Sequence, residues 1–263
     1  MSEPTRARGP GDGHYITLLA ISLQSDGESA TGSIPVRSQL FAPGTTRIRT
    51  GLLATAVDLI AGHCPDGAVG PTVDLRLQML ARPPSSGRVH LTSRPLKVGA
   101  RFIVGETLLT DDADRPFGRA VHSFLNNSMG EGITGPLVPP AMAETSFDEF
   151  LGARATGERR LELDPDPRLT IPGGTVQGGA QALLAELAAE HALGGGRRLV
   201  ASDLDIRFLG RVKVGPVVAA VTHAPIHEGP LTAVVSLWDA GNENAAVASV
   251  TLTLESAPVS DRS

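Results

Sequence analysis

Cysteine is almost absent from this sequence of 263 residues, in which Cys64 is the single one. One cysteine excludes an internal disulfide framework and a cysteine-rich zinc site, and it is typical of a protein from the reducing cytosol. Long hydrophobic runs are absent as well, because no apolar stretch approaches the ~18 residues that a membrane-spanning helix needs. The apolar segment at residues 15–23 has neither a basic leader nor a small-residue cleavage site, so we read no export signal. We therefore expect a cytoplasmic protein that does not enter a membrane.

Positive charge is also scarce, and it is dispersed along the chain. The sequence has 23 Lys and Arg residues against 28 Asp and Glu residues, a formal net charge of −5, and it contains no basic block. This balance argues against a nucleic-acid partner, and any anionic ligand has to be met by individual arginines. The seven histidines are scattered without the spacing of a zinc site, so we expect no metal. With 41% hydrophobic and 19% charged residues, the composition is that of an ordinary globular protein.

An internal repeat is the strongest pattern that is present. The segment "DLRLQMLARP" at 74–83 returns as "DLDIRFLGRV" at 203–212, an offset of 129, and both alternate as strands do. Residues 120–124 match 248–252 at an offset of 128, and "RTGLLATAVD" at 49–58 falls on "QGGAQALLAE" at 177–186. Several matches in the same order indicate a duplicated unit.

Each copy has two strand-like segments, one strongly apolar helix and several further strands, which is an α+β arrangement. We place the first repeat at 13–127 and the second at 148–257, joined by a Gly- and Pro-rich linker at 128–147. The ends, residues 1–12 and 258–263, are expected to be disordered tails.

The helix of the first copy contains one carboxylate, Asp58, among apolar and small residues. No cation of its own helix lies three or four positions away, so its pKa is expected to be raised, as suits a general base or a nucleophile. The repeat places Glu186 at the same position of the second helix. The plainer interpretation of both is a helix residue on a solvated edge, and it applies more strongly to Glu186, because Glu190 follows one turn later.

These residues resemble the motif of the hotdog-fold acyl-CoA thioesterases of the phenylacetyl-CoA and 4-hydroxybenzoyl-CoA type, in tandem form. That motif has His-Gly-Gly-Ala at the start of the helix, an Asp or Glu nine residues after the His, and a later strand that ends near Arg-Pro. The first copy supplies Asp58 and the "ARP" at 81–83, and the second supplies Gly178, Gly179, Ala180 and Glu186. The resemblance covers about residues 30–126 and 148–255. It implies a tandem (double) hotdog of the α+β class, with two antiparallel sheets that each wrap a central helix and join side by side.

The resemblance further implies hydrolysis of an acyl thioester, of coenzyme A or of an acyl carrier protein, at sites between the two halves. Asp58 would face the backbone N–H of Gly178, and Glu186 would face that of Thr50. Asp58 would act as base or nucleophile, and the Gly178 amide would stabilise the oxyanion at the positive end of its helix. Coenzyme A would be part of the substrate, with no separate cofactor, and the protein would form homodimers.

Other residues complete the candidate site. Gln177 is a candidate contact for the carbonyl or the water, and Glu186 is a second catalytic candidate. The candidates for substrate binding are Thr50 and Gly179 at the helix starts and three arginines for the pantetheine phosphates: Arg49, Arg82 and Arg211.

The sequence departs from the family motif at the position of its histidine, which is Arg49 in one copy and Gln177 in the other. A protein that binds acyl thioesters without hydrolysing them therefore stays an alternative, and a hotdog lyase or hydratase acting on enoyl thioesters is another. Of the two sites we expect the Asp58 site to be the competent one. Its glycines allow a thioester to reach the helix N-terminus, whereas the Thr50 side chain narrows the other approach.

Overall fold

The computed structural model describes residues 13–64, 69–126, 145–171, 174–224 and 230–257. Within these ranges it has three α-helices, which are α1 (Thr50–Ala61), α2 (Phe147–Leu151) and α3 (Gly178–Leu193). The strands of the first half are β1 (Ser22–Ser25), β2 (Ala30–Pro35), β3 (Val69–Met79), β4 (Arg88–Val98), β5 (Phe102–Thr110) and β6 (Pro116–Asn126). Those of the second half are β7 (Arg154–Gly157), β8 (Arg160–Leu163), β9 (Leu199–Phe208), β10 (Val217–His223), β11 (Leu231–Asp239) and β12 (Ala245–Ser256).

All twelve strands form one antiparallel sheet in the order β1-β2-β4-β5-β6-β3-β9-β12-β11-β10-β8-β7. The order of the second half is the mirror image of the first, because β7 to β12 are the repeats of β1, β2, β3, β4, β5 and β6 in chain order. The halves join where β3 pairs with β9, for example at Leu75 and Ile206. The duplication predicted from the sequence is thus a pseudo-twofold axis between β3 and β9, and the two predicted sheets are continuous.

The two long helices lie on the same side of this sheet, as the repeat predicts for residues 49–62 and 177–190. They are antiparallel and very close. A side-chain carbon at Gly51 would come within 2.7 Å of the Leu183 backbone, and one at Gly179 would collide with Thr55. Glycine is needed at both positions because the helix backbones leave no room for a larger residue. The start of each helix therefore packs against the middle of the other.

The short helix α2 begins at Phe147, the last residue of the predicted linker, and Ser146 caps it through a capping box with Glu149. Phe147 is fully buried and meets the Tyr15 ring edge-on at 5.5 Å. The Tyr15 hydroxyl donates a hydrogen bond to the carbonyl oxygen of Gly179 at 3.2 Å, which ties the beginning of the first half to the start of α3. Residues 1–12, 128–144 and 258–263, where we predicted the tails and most of the linker, lie outside the described residues.

Candidate functional site

The start of α1 is closed by a carboxylate from the other half. Glu186 accepts a hydrogen bond from the Gly51 amide at 2.7 Å and a longer one from the Thr50 amide at 3.4 Å. The structure thus places Glu186 against Thr50, as the sequence predicts. The Thr50 hydroxyl does not narrow this contact, because it donates to the carbonyl oxygen of Ala201 at 2.7 Å. The N–H groups that could stabilise an oxyanion here are already taken by Glu186.

The Arg49 side chain contacts three carboxylates at this end. Its guanidinium is 2% exposed and donates to Asp148, to Glu186 at 3.5 Å and to Glu190. Burial alone would lower the pKa of Arg49, but the three carboxylates raise it. Burial raises the pKa of Glu186, against the opposing effect of Arg49, and it raises the pKa of Glu190 to about 8. Burial and the neighbouring carboxylates of Glu186 and Asp148 thus favour a proton on Glu190 at neutral pH, against the opposing effect of Arg49.

A cavity of about 430 Å³ opens beside this cluster. Arg49 and Glu190 line it together with Arg197 and Arg198, which follow the end of α3. The loop before α1 also lines the cavity, at residues 42–45. Arg82 lies near this loop, where it is exposed and donates to the Thr46 hydroxyl at 3.2 Å. Every hydrogen bond of the Arg49 guanidinium among the described residues goes to a carboxylate, so a phosphate would have to meet the other arginines.

The start of α3 is different, because no carboxylate among the described residues accepts a hydrogen bond from its first amides. The Gln177 side chain accepts a hydrogen bond from the Ala180 amide at 3.0 Å and caps the helix. The amides of Gly178 and Gly179 donate no hydrogen bond within the part of the chain that the structure describes. A side-chain carbon at Gly178 would come within 2.9 Å of the Phe208 ring, so this ring packs directly on Gly178 and leaves no room for a larger residue. Two N–H groups at the positive end of a helix form a natural anion or oxyanion site.

Asp58 is partly buried in the second half of α1, and Thr72 of β3 holds it. The Thr72 hydroxyl donates to Asp58 Oδ1 at 2.5 Å. Burial raises the pKa of Asp58 to about 6, and the Thr72 hydrogen bond partly offsets that rise. Among the described residues no hydrogen bond joins Asp58 to Gly178 or Gly179. Thr55, one turn before Asp58 on α1, packs against Gly179 at the start of α3. The turn of α1 that contains Asp58 therefore lies beside the start of α3.

Sequence reasoning missed Thr72. Its strand contains register shifts on both sides of Thr72, between Val69 and Asp74. Such irregularities interrupt the alternation of inward and outward residues, which is the signal that would have placed this hydroxyl under α1.

Arg211 is exposed just after β9. The amide of the next residue, Val212, donates to the Thr175 hydroxyl at 3.0 Å, which places Arg211 beside the loop that leads into α3. It therefore belongs to the α3 end, as Arg82 belongs to the α1 end.

The described ranges contain no group of three or more His, Cys, Asp or Glu side chains arranged to hold a metal ion. They also contain no helix long and apolar enough to cross a membrane.

Comparisons with known proteins support the fold. No protein-family model and no curated protein matches the chain. The tesB protein of Mycobacterium avium subs paratuberculosis matches with a TM-score of 0.65 at 16% identity, over 92% of this chain and 98% of that one. A conserved hot dog fold protein of unknown function from Alicyclobacillus acidocaldarius gives 0.65 at 14% identity, over 94% and 99%. An acyl-ACP thioesterase from Bacteroides thetaiotaomicron gives 0.57 at 13% identity, over 86% and 98%. The tandem hotdog fold, expected from the motif, is confirmed across both halves.

Proposed function

We propose that this protein hydrolyses acyl thioesters at the start of α3. The observation that carries the proposal is the pair of amides at Gly178 and Gly179, which have no hydrogen-bond acceptor among the described residues and lie beside the helix that presents Asp58. A carboxylate with a pKa of about 6 is ionised at neutral pH and still basic enough to take a proton from water. The structural neighbours named as thioesterases support the same class of reaction.

In the proposed reaction, the thioester carbonyl oxygen accepts hydrogen bonds from the Gly178 and Gly179 amides. Asp58 takes a proton from a water molecule, whose oxygen attacks the carbonyl carbon. The amides stabilise the negative charge that forms on the carbonyl oxygen. The carbon–sulfur bond then breaks, the electron pair leaves with sulfur, and the thiolate takes the proton back from Asp58. The products are a carboxylic acid and a thiol.

Neighbouring side chains would orient these groups. The Thr72 hydroxyl fixes one oxygen of Asp58, which leaves the other free for water. The oxygen of the Gln177 amide caps α3, so its NH₂ group is the part that could contact the carbonyl or the water. Arg211 would meet a phosphate of the carrier, either coenzyme A or the phosphopantetheine of an acyl carrier protein.

Among the described residues the α1 end lacks a free oxyanion site, so hydrolysis is not proposed there. Glu186 is 1% exposed and occupies the amides that an oxyanion would need. We assign this end no turnover.

The test is the release of free thiol from a panel of acyl-CoA esters by purified protein. We expect Asp58→Asn to lower kcat/KM by a factor of about 10² to 10⁴, the usual cost of losing a general base. Glu186→Gln is the matched control and should keep most of the activity. Equal losses in both variants would show that the ends act together, and full activity in Asp58→Asn would remove this carboxylate from the reaction.

We also propose that the tandem unit acts as a homodimer in the cytosol, because hotdog units commonly pair further. Sedimentation at micromolar concentration checks this, and a strict monomer would contradict it.

A further inference from the structure

The sheet beneath α1 carries three buried polar side chains on its inner face. Ser93 of β4 is 1% exposed, Thr107 of β5 is fully buried, and His122 of β6 is 2% exposed. The His122 Nε2 lies 3.1 Å from the Thr107 hydroxyl and 3.5 Å from the Ser93 hydroxyl. Buried polar groups cost free energy unless they are hydrogen-bonded, so this group needs an explanation.

The second half of the molecule shows that the fold does not require this polarity. Ser93 pairs with Thr107 across β4 and β5, and in the second half Val221 pairs with Val235 across β10 and β11. These pairs occupy the same place in the two repeats. Both valines are buried. The same sheet therefore packs in one copy with methyl groups where the other copy has hydroxyls.

His122 has an apolar equivalent too. It pairs with Leu75 of β3, and in the second half Leu252 pairs with Leu204 of β9. Leu252 is fully buried. A leucine therefore satisfies the packing at this position in one copy, and the imidazole of the other copy serves something besides packing.

One atom of His122 has no partner. Its Nδ1 is buried and lacks a hydrogen bond among the described residues. The His122 ring packs directly on Gly105, where a side-chain carbon would come within 2.4 Å of its Cε1 and 3.2 Å of its Nδ1. The equivalent of Gly105 opposite Leu252 is Ala233. The first half thus has a glycine where the imidazole needs room, and the second half has an alanine beside its leucine.

His122 lies on the same strand as the residue that pairs with Thr72. Thr72, which holds Asp58, pairs with Phe124 on β6. His122 is two residues along the same strand, so it points to the same face at a separation of roughly 7 Å. The rings of His122 and Phe124 meet edge-on at 5.3 Å. An acyl chain that enters at Asp58 and extends under α1 would pass Phe124 and reach His122.

We propose that Ser93, Thr107 and His122 form an acyl-binding subsite that selects thioesters with a hydroxyl group on the acyl chain, bound at His122 Nδ1. This inference rests on the proposed function, because it places the acyl chain beside Asp58.

The chemistry of the site favours a hydroxyl over other groups. Burial lowers the pKa of His122 to about 4, so the ring is neutral, with one donor nitrogen and one acceptor. Thr107 and Ser93 hydroxyls can complement either tautomer at Nε2. A substrate hydroxyl, which both donates and accepts, matches Nδ1 in either state. A charged group would lack a counterion here.

The test compares kcat/KM for pairs of acyl-CoA esters of equal chain length, one plain and one with a single hydroxyl at varied positions. We expect the wild type to prefer at least one hydroxylated ester by about tenfold or more, since a site built to bind a hydroxyl disfavours the analogue without it. His122→Leu installs the residue of the second copy and should abolish or reverse this preference. Val235→Thr places a hydroxyl in the second half as the control and should leave the preference unchanged.

Two further measurements separate the explanations. Replacing the whole group with the apolar residues of the second half, Ser93→Val, Thr107→Val and His122→Leu together, leaves no hydroxyl without its partner. If the group has only a structural role, this triple variant should lower the melting temperature, whereas the proposed role predicts an equal or higher one, because an unsatisfied buried atom is removed. Binding of non-hydrolysable thioether analogues to Asp58→Asn protein tests the subsite without turnover. Tighter binding of the hydroxylated analogue without wild-type hydrolysis would refute the proposed function alone. Hydrolysis with the same selectivity in wild type and His122→Leu would overturn the subsite alone.

Discussion

The two ends of the central helix pair come from one duplicated unit, yet one is closed and the other is open. At the α1 end, Glu186 fills the amides of the helix start and Arg49 holds it there. At the α3 end, the amides of Gly178 and Gly179 have no acceptor among the described residues. The comparison shows how one scaffold can provide a buried ion cluster and a candidate reaction site at equivalent places.

Besides Arg49, whose equivalent is Gln177, two substitutions between the repeats contribute to this difference. Glu186 is one methylene longer than Asp58, so its carboxylate can reach across to the opposite helix. Thr72 holds Asp58 on the sheet side, and the residue at its place in β9 is Ala201, which has no hydroxyl. Side-chain length and one hydroxyl therefore help to decide whether the carboxylate fills the helix start or leaves it free.

The largest expected difference between the two ends is in how much each contributes to the stability of the folded protein. Arg49→Met removes the cation from three carboxylates, of which Glu186 is 1% exposed, and should lower the free energy of unfolding by about 3–5 kcal/mol. Urea unfolding at neutral pH measures it. Gln177→Met at the equivalent position removes only a helix cap and should cost about 1 kcal/mol. Similar losses in the two variants would mean that the ends do not differ as described.

A smaller effect concerns the pH dependence of activity at the open end. A hydrogen bond to the charged carboxylate lowers its pKa, so Thr72→Val should raise the pKa of Asp58 above its present value of about 6. Activity that needs ionised Asp58 is lost as pH falls through that pKa. The acidic limb of the kcat/KM profile should therefore move to higher pH, by up to roughly one unit.

The control for this experiment is Ser123→Ala. Ser123 donates to the carboxylate of Asp74 at 3.0 Å on the same pair of strands, away from Asp58. Its removal should leave the profile in place. An unshifted profile in Thr72→Val would separate Asp58 from the rate-limiting proton transfer.

Much of the fold could be predicted because the duplication repeats the same helix and strand patterns in both halves of the sequence. The repeat predicts helices at residues 49–62 and 177–190, and the structure has them at Thr50–Ala61 and Gly178–Leu193. The resemblance to the tandem hotdog proteins, carried over by position, implies the contact between Glu186 and the Thr50 amide. The sequence matched 120–124 with 248–252, but the strand pairing shifts this equivalence by two residues, from Val250 to Leu252 for His122. A two-residue shift keeps the same face inward, so local pattern could not reveal it.

The chemistry around Arg49 was less accessible from sequence. Its partner Asp148 lies 99 residues away on α2, and nothing in the local pattern links them. The spacing of Glu186 and Glu190 on α3 suggested a solvated stripe, whereas both carboxylates face Arg49. Polar clusters assembled across a pseudo-twofold axis depend on long-range geometry, which spacing within one element does not encode.

The junction between β3 and β9 also governs how the sheet meets its surroundings. Exposed strand edges invite pairing with other chains, and proteins limit this with short, polar edge strands. The joined sheet has only two edges, β1 and β7, each four residues long and mostly exposed. A half by itself would present β3 or β9, of eleven and ten residues, as an open edge. Tandem fusion thus protects this protein from edge-to-edge aggregation as well as bringing its helices together.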